Sequence, residues 1–433
     1  MIMKLPVYLR QSWQIMLKDR QYSLIYVVGV ALSMAFVMAF LMYVLMMTSG
    51  IYPENHRHRM LILSNVKFEN AEGDPQLGSM VSMRLAKLIK EADIPGVENI
   101  SYTIAPFRSG SIGLTSPDGN ILNAPVMYVD EGFWDVFQFE FRSGRVPGEW
   151  NPAHVEAVVS ETFARRCFGS DEAVGQKVMY GGMPLSICGV VRDVPITAML
   201  TDAEVWLPHQ LYISRYYSAE DQPWLGSGFL NILVGSRRDF DAVRDGVREV
   251  AARYNGAYGK AEGLYISSDI EPLSYIRASS AGVSVGVVFS AVVVLVLLLM
   301  IVPAVNLSGM VASSMEERVE ELGVRKAYGA PSGTIVRQVF WENCMLTLIG
   351  GLFGVVCARG LLGLLSKVLE QSKAGYDTVE MQADLVFPAD VFLRPELYVT
   401  VFVCVLLLNL LSSWVPMRKV LKYSVTDSLN EKK

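Results

Sequence analysis

The sequence predicts an integral membrane protein with four transmembrane α-helices and a large extracytoplasmic mixed α/β domain between helices 1 and 2. Three observations lead there. Of 433 residues, 52% are hydrophobic and 19% charged, whereas a soluble chain carries roughly a quarter charged residues. The apolar residues are gathered into long runs, which marks membrane spans and not one large core. Between the first two runs, residues 49–280 read as folded sequence, with short strand-like and helical stretches separated by Gly and Pro turns. A net charge of −5 excludes a general nucleic-acid binder.

In residues 1–21, Leu5, Leu9, Trp13, Met16 and Leu17 recur at spacings of three and four, while Arg10, Gln14 and Lys18 take another face. This pattern predicts an amphipathic helix lying on membrane lipid at the cytoplasmic leaflet. The first span, 22–48, contains "YSLIYVVGVALSMAFVMAFLMYVLMM", which is too long for the apolar core of a signal peptide. The second, 281–310, contains "VGVVFSAVVVLVLLLMIV" without a charge. The third covers 335–368 and the fourth 396–416. Lys and Arg concentrate before the first span, between the second and third, and after the fourth. By the positive-inside rule both termini, the 311–334 loop and the 417–433 tail are cytoplasmic. Residues 49–280 and the short loop 369–395 then lie outside.

Within the third span, Gly350 and Gly354 form a small-xxx-small pair that lets another helix approach closely. Packing inside one protomer and packing between protomers both fit. Arg359 lies 18 residues beyond Trp341, about 27 Å along a helix, where its guanidinium can reach the far interface.

The outer segment shows strand-like runs "RMLILSNV", "NISYTIAP", "ILNAPVMYVD", "LSICGVVRDV" and "FLNILVG". Helical patterns occur in "SMVSMRLAKLIKEAD" and in "SRRDFDAVRDGVREVAARY", where Ser236 is placed to cap and Phe240, Val243 and Val247 share a face. Cys167 and Cys188 fit either one disulfide or two buried thiols. The four histidines are scattered; His56 and His58 are close but lack a neighbouring Cys or acid cluster. H-E-x-x-H does not occur. No catalytic and no metal residue is assigned.

The 311–334 loop contains "SMEERVEELGVRKAYGAPSG". Val311, Met315, Val319 and Leu322 make a narrow apolar stripe, and Glu321 precedes Arg325 by the favourable four residues. Gly329 and Pro331 stop the helix, and Ser332 can cap the next one. A solvated charged face and a docking surface both account for this helix.

The run "EERVEELGVRKAYGA" resembles the signature of the MacB–FtsX type ABC transporter permeases, with Arg318, Glu321, Leu322, Gly323, Val324, Arg325, Ala327, Gly329 and Ala330 in place. Gln338 and Glu342 are similar to the family's polar positions at the start of the third span. Pro416, Val425 and Leu429 follow its closing pattern, from which Met417, Val420 and Ser424 depart. "FRSGRVPGE", "EAVVSETFARRCFG" and "AVGQKVMYGGMPLSICGVVRDVP" resemble the family's extracytoplasmic domain.

The resemblance implies a bacterial inner-membrane permease subunit, a homodimer or a heterodimer with a related permease. It also implies docking of an ABC ATPase subunit on Arg318, Glu321, Leu322, Gly323, Arg325, Ala327 and Gly329. ATP and Mg are then held by that partner, because the chain has no G-x-x-x-x-G-K-[ST], and Gly259-Lys260 is followed by Ala. About twenty residues precede the first span, so a separate ATPase is expected. Export is the first reading, with a periplasmic adaptor as a further partner. The alternatives are mechanical signalling to a cell-wall hydrolase, or a membrane-anchored sensor without an ATPase.

Overall fold

The computed structural model describes residues 13, 20–48, 50–63, 66–69, 79–104, 111–195, 198–216, 226–259, 265–267 and 271–272. Beyond these it describes 287, 290–291, 293–295, 297–298, 341, 344–361, 363–364, 399–400, 402–403 and 407. Two compact units divide the chain: residues 1–44, 289–367 and 390–433 form one, and 45–288 with 368–389 the other.

In the first unit, helix α1 (Arg20–Thr48) has 29 residues, a length of about 43 Å. Among the described residues, two helices are long and apolar enough to cross a membrane, at Ser23–Leu41 and Cys344–Leu361. Leu24, Ile25, Val28, Leu32 and Phe36 are exposed along α1, whereas Tyr26, Val30, Met34 and Met38 are buried. The described residues of 287–298 and 399–407 are helical. The remainder of the second and fourth expected spans, and the N-terminal amphipathic helix apart from Trp13, lie outside the described residues.

The second unit is built around a large sheet. Its strands are β1 (Met60–Leu63), β3 (Val97–Ile104), β4 (Ser111–Thr115), β5 (Ile121–Val129), β6 (Phe141–Gly144), β7 (Val155–Ser160), β8 (Lys177–Tyr180), β9 (Met183–Val191), β10 (Val205–Pro208), β11 (Phe229–Val234) and β13 (Glu271–Pro272). β2 (Lys67–Glu69) and β12 (Tyr265–Ser267) form a separate antiparallel pair. β1, β3, β5, β9 and β11 fall on the five runs that read as strand-like.

Six of these strands close on themselves. β10 runs antiparallel to β7 and parallel to β5, and the ring continues β7–β9–β8–β4–β5. From β5 the sheet extends outward through β3, β11, β1 and β13. Closure removes edges that would otherwise expose unpaired backbone groups.

Side chains alternate between two cores, as the two-residue strand period requires. Val205 and Leu207 of β10 enter one core and Trp206 the other; Leu61 and Leu63 of β1 part from Met60 and Ile62 in the same way. Burial on both faces explains why β1 reads "MLIL" without a polar residue.

Helix α2 (Met83–Glu91) is capped by Ser82, whose hydroxyl accepts from Leu85 N, and it buries Leu85, Ala86 and Ile89. The short α3 (Phe133–Val136) covers the second core with Phe133 and Val136. Helix α4 (Glu161–Phe168) is capped by Ser160 and ends at Gly169, whose φ of 71° needs no Cβ. Helix α5 (His209–Tyr216) directly continues β10. Before helix α6 (Phe240–Tyr254) the Ser236 hydroxyl accepts from Arg238 N in a single 3-10 turn, and α6 buries Val243 and Val247.

Candidate functional site

The residues that sequence reasoning places against an ATPase, Arg318, Glu321, Leu322, Gly323, Arg325, Ala327 and Gly329, lie outside the described residues.

Inside the first unit, the glycine pair faces α1. A Cβ added at Gly350 would lie 2.8 Å from Val30 Cβ and 3.0 Å from Val27 O. At Gly354 it would lie 2.9 Å from Met34 Cβ and 3.0 Å from Ala31 O. Backbone and Cβ atoms cannot swing aside, so glycine is what permits this approach. One turn away, the buried hydroxyls of Tyr26 and Thr347 are 3.5 Å apart. Arg359 is exposed, two residues before the end of the Cys344–Leu361 helix.

In the second unit, the chain that leaves α1 at Thr48 is fastened at once. Tyr52 donates its hydroxyl to Arg192 O and accepts from Glu140 N, both at 3.2 Å. Burial pushes its phenol up to about 12. Gln138 N donates to Pro53 O at 2.9 Å. Glu54 is 1% exposed and Arg57 3%. Arg57 Nε donates to Glu54 Oε2 at 2.5 Å, while Glu54 Oε1 accepts from Leu200 N at 2.8 Å and Thr201 Oγ1 at 2.9 Å. The carboxylate therefore has its charge and its lone pairs satisfied, which a buried ion pair requires. Sequence reasoning missed this clamp. A Glu and an Arg three apart just after a span were its only local signal, and the acceptors' partners lie 146 and 147 residues away.

A second knot joins β3 to the end of β5. Asp130, 5% exposed, accepts from Lys90 Nζ at 2.6 Å, Tyr102 N at 2.8 Å and Ser101 Oγ at 3.0 Å.

His56 and His58 have ring centroids 6.3 Å apart, and His56 Nε2 lies 2.7 Å from Gln138 Nε2. Burial, then the neighbouring Arg59, holds His56 below its usual range. Among the described residues no group of three His, Cys, Asp or Glu side chains could hold a metal ion. Cys167 and Cys188 are free and buried. Burial pushes their thiols up to about 11 and about 12, which makes both poor nucleophiles.

Two family models account for most of the sequence. Residues 23–250 match the MacB-like periplasmic core domain, and residues 268–425 the FtsX-like permease C-terminal region. The chain belongs to the MacB/FtsX-type ABC transporter permeases. Among curated relatives of this family, it is 23% identical over 298 residues to the uncharacterized ABC transporter permease YknZ of Bacillus subtilis, covering 68% of this chain and 72% of that protein. It is 25% identical over 318 residues to the macrolide export ATP-binding/permease protein MacB of Pasteurella multocida, covering 72% of this chain and 43% of that one. The chain thus spans less than half the length of that MacB relative. A solved domain of a permease protein from Porphyromonas gingivalis matches with a TM-score of 0.41 and 22% identity, covering 51% of this chain and 92% of the domain.

Proposed function

We propose that this MacB/FtsX-type permease couples ATP hydrolysis on a separate ABC ATPase subunit to movement of its outer domain, and that it works in export. The observation that carries this reading is the pairing of a MacB-like core domain with an FtsX-like permease region in one chain. ATP and Mg bind to the partner subunit. Both termini and residues 311–334 face the cytoplasm of a bacterial inner membrane, four helices cross it, and the permease acts as a dimer, homomeric or with a related chain. A periplasmic adaptor is the expected further partner.

The charged helix of 311–334 is the docking element. Gly323 lies near its middle, and Glu321 and Arg325 stand four residues apart, the helical ion-pair spacing. Being short and joined at both ends to spans, it cannot move without them. On the outer side, the Tyr52 and Glu54 fastenings leave little slack between the end of α1 and the β9–β10 connection.

The test is co-purification and coupling. A tagged chain extracted from its native membranes brings down an ATPase, and adding the permease raises that ATPase's turnover. Gly323→Pro breaks the docking helix, with an interior helix cost of about 3 kcal/mol. It should abolish the stimulation while the outer unit keeps its thermal stability. Full stimulation in this variant would refute the docking role, and absence of any co-purifying ATPase would favour a membrane-anchored sensor.

A further inference from the structure

The chains that enter and leave the second unit run side by side. Coming from α1, the chain forms β1 and then β2; on its way to the expected second span at 281–310 it forms β12 and then β13. β12 pairs antiparallel with β2, from Tyr265 opposite Glu69 to Ser267 opposite Lys67. β13 pairs antiparallel with β1, Glu271 opposite Ile62 and Pro272 opposite Leu61. Between these pairings the incoming chain takes five steps, 62 to 67, and the outgoing chain four, 267 to 271. One residue more on one side is the count of a β-bulge, which bends a ribbon. The incoming chain joins and the outgoing chain leaves this ribbon at the same end, where Met60 begins β1 and Pro272 closes β13. Eight residues, 273–280, then separate β13 from the expected span.

The two chains are held unequally. β1 pairs along its whole length with β11, from Met60 opposite Leu233 to Leu63 opposite Leu230, and β11 pairs in turn with β3. Just before β1, Tyr52 and the Glu54–Arg57 pair fasten the incoming chain. β13 has two residues, and the sheet order ends with it. Pro272 has no N–H to give, so β13 rests on about two or three backbone hydrogen bonds, each of modest net worth. A very short edge strand with a charge and a Pro is also one that invites no further pairing. Because the chains diverge at one end, pulling them apart loads these few bonds one after another.

We propose that β13 is a peelable strap: tension on the chain leading to the second span lifts it from β1, which stays on β11, and slack lets it return. The tension rests on the coupling reading above, whereas the strap is a property of this chain alone.

The strap is tested first without an ATPase, by hydrogen–deuterium exchange on the full-length chain in detergent, with and without low urea. Local opening exposes little surface and responds little to denaturant, whereas global unfolding responds steeply. Peptides covering 268–272 should be protected, yet exchange at least about a hundredfold faster than 229–234 and at a rate that urea leaves unchanged. Equal rates and equal urea slopes for the two segments overturn the strap, as does exchange of 268–272 at the rate of an unpaired chain. Its use is tested with Ile62→Cys/Glu271→Cys, placed on directly opposed residues. With an ATPase bound, oxidation should abolish the stimulation of turnover and reduction should restore it. Full stimulation with the disulfide closed overturns the strap's role in coupling. If no ATPase co-purifies, the coupling reading fails and the exchange result alone decides the strap. If the double variant fails to fold, Glu271→Pro takes its place, since it removes the N–H of residue 271. Exchange over 60–63 should then rise while 229–234 is unchanged, and an equal rise in both, or none in either, refutes the strap.

Discussion

Glu54→Ala should destabilise the outer unit by about 3–5 kcal/mol, the cost of breaking a buried ion pair from one side. The substitution takes the carboxylate from Arg57, which stays buried and charged, and takes the acceptor from both Leu200 N and Thr201 Oγ1. In a domain of this size each kcal/mol moves the melting temperature by roughly 2–4 °C, so a fall of about 10 °C is the expected reading. Glu54→Gln separates the contributions: its amide oxygen can still accept from Leu200 N while the ion pair is lost, so it should fall between. Differential scanning of the full chain in detergent measures both. A shift of less than about 1 kcal/mol for Glu54→Ala would mean that the entry segment is not anchored here.

Replacing Gly350 or Gly354 with Leu should force α1 and the Cys344–Leu361 helix apart. An added Cβ at either position meets Cβ and backbone atoms of α1 at 2.8–3.0 Å, and overpacking of this kind costs about 1–3 kcal/mol per site. Gly351→Ala is the control. There the added carbon would meet Met34 Sδ at 3.0 Å and Cε at 3.3 Å, the far end of a flexible side chain, and Phe402 Cδ2 at 3.1 Å. Its cost should be smaller because the thioether can move. Thermal stability of the purified full chain ranks the three variants. Equal losses for all three would argue that the helices do not meet through this glycine pair.

The longer strands were legible because they are apolar and bounded by turn residues, as in "NISYTIAP" and "FLNILVG". The shorter ones were not. β10 is "VWLP", four residues that resemble a loop until β5 and β7 are both placed beside it. The ring closure depends on pairings far apart in sequence, and local pattern carries no information about them. The Gly350 and Gly354 pair was visible as a motif, but its partner was open between another span and another protomer; the distances to Val30 and Met34 place α1 there. Glu54 and Arg57 gave the weakest signal of all, since burial is a property of what covers them. The 311–334 segment has the reverse character, with a strong local sequence pattern in residues outside those described.

A rod amplifies angles. At about 43 Å long, α1 outruns the roughly 30 Å of bilayer hydrocarbon by about 13 Å. A tilt of about 5° around its Arg20 end carries Thr48 sideways by about 4 Å, close to the spacing between neighbouring strands. Shortening α1 by one turn would lower that sideways travel of its end in proportion, by about one eighth.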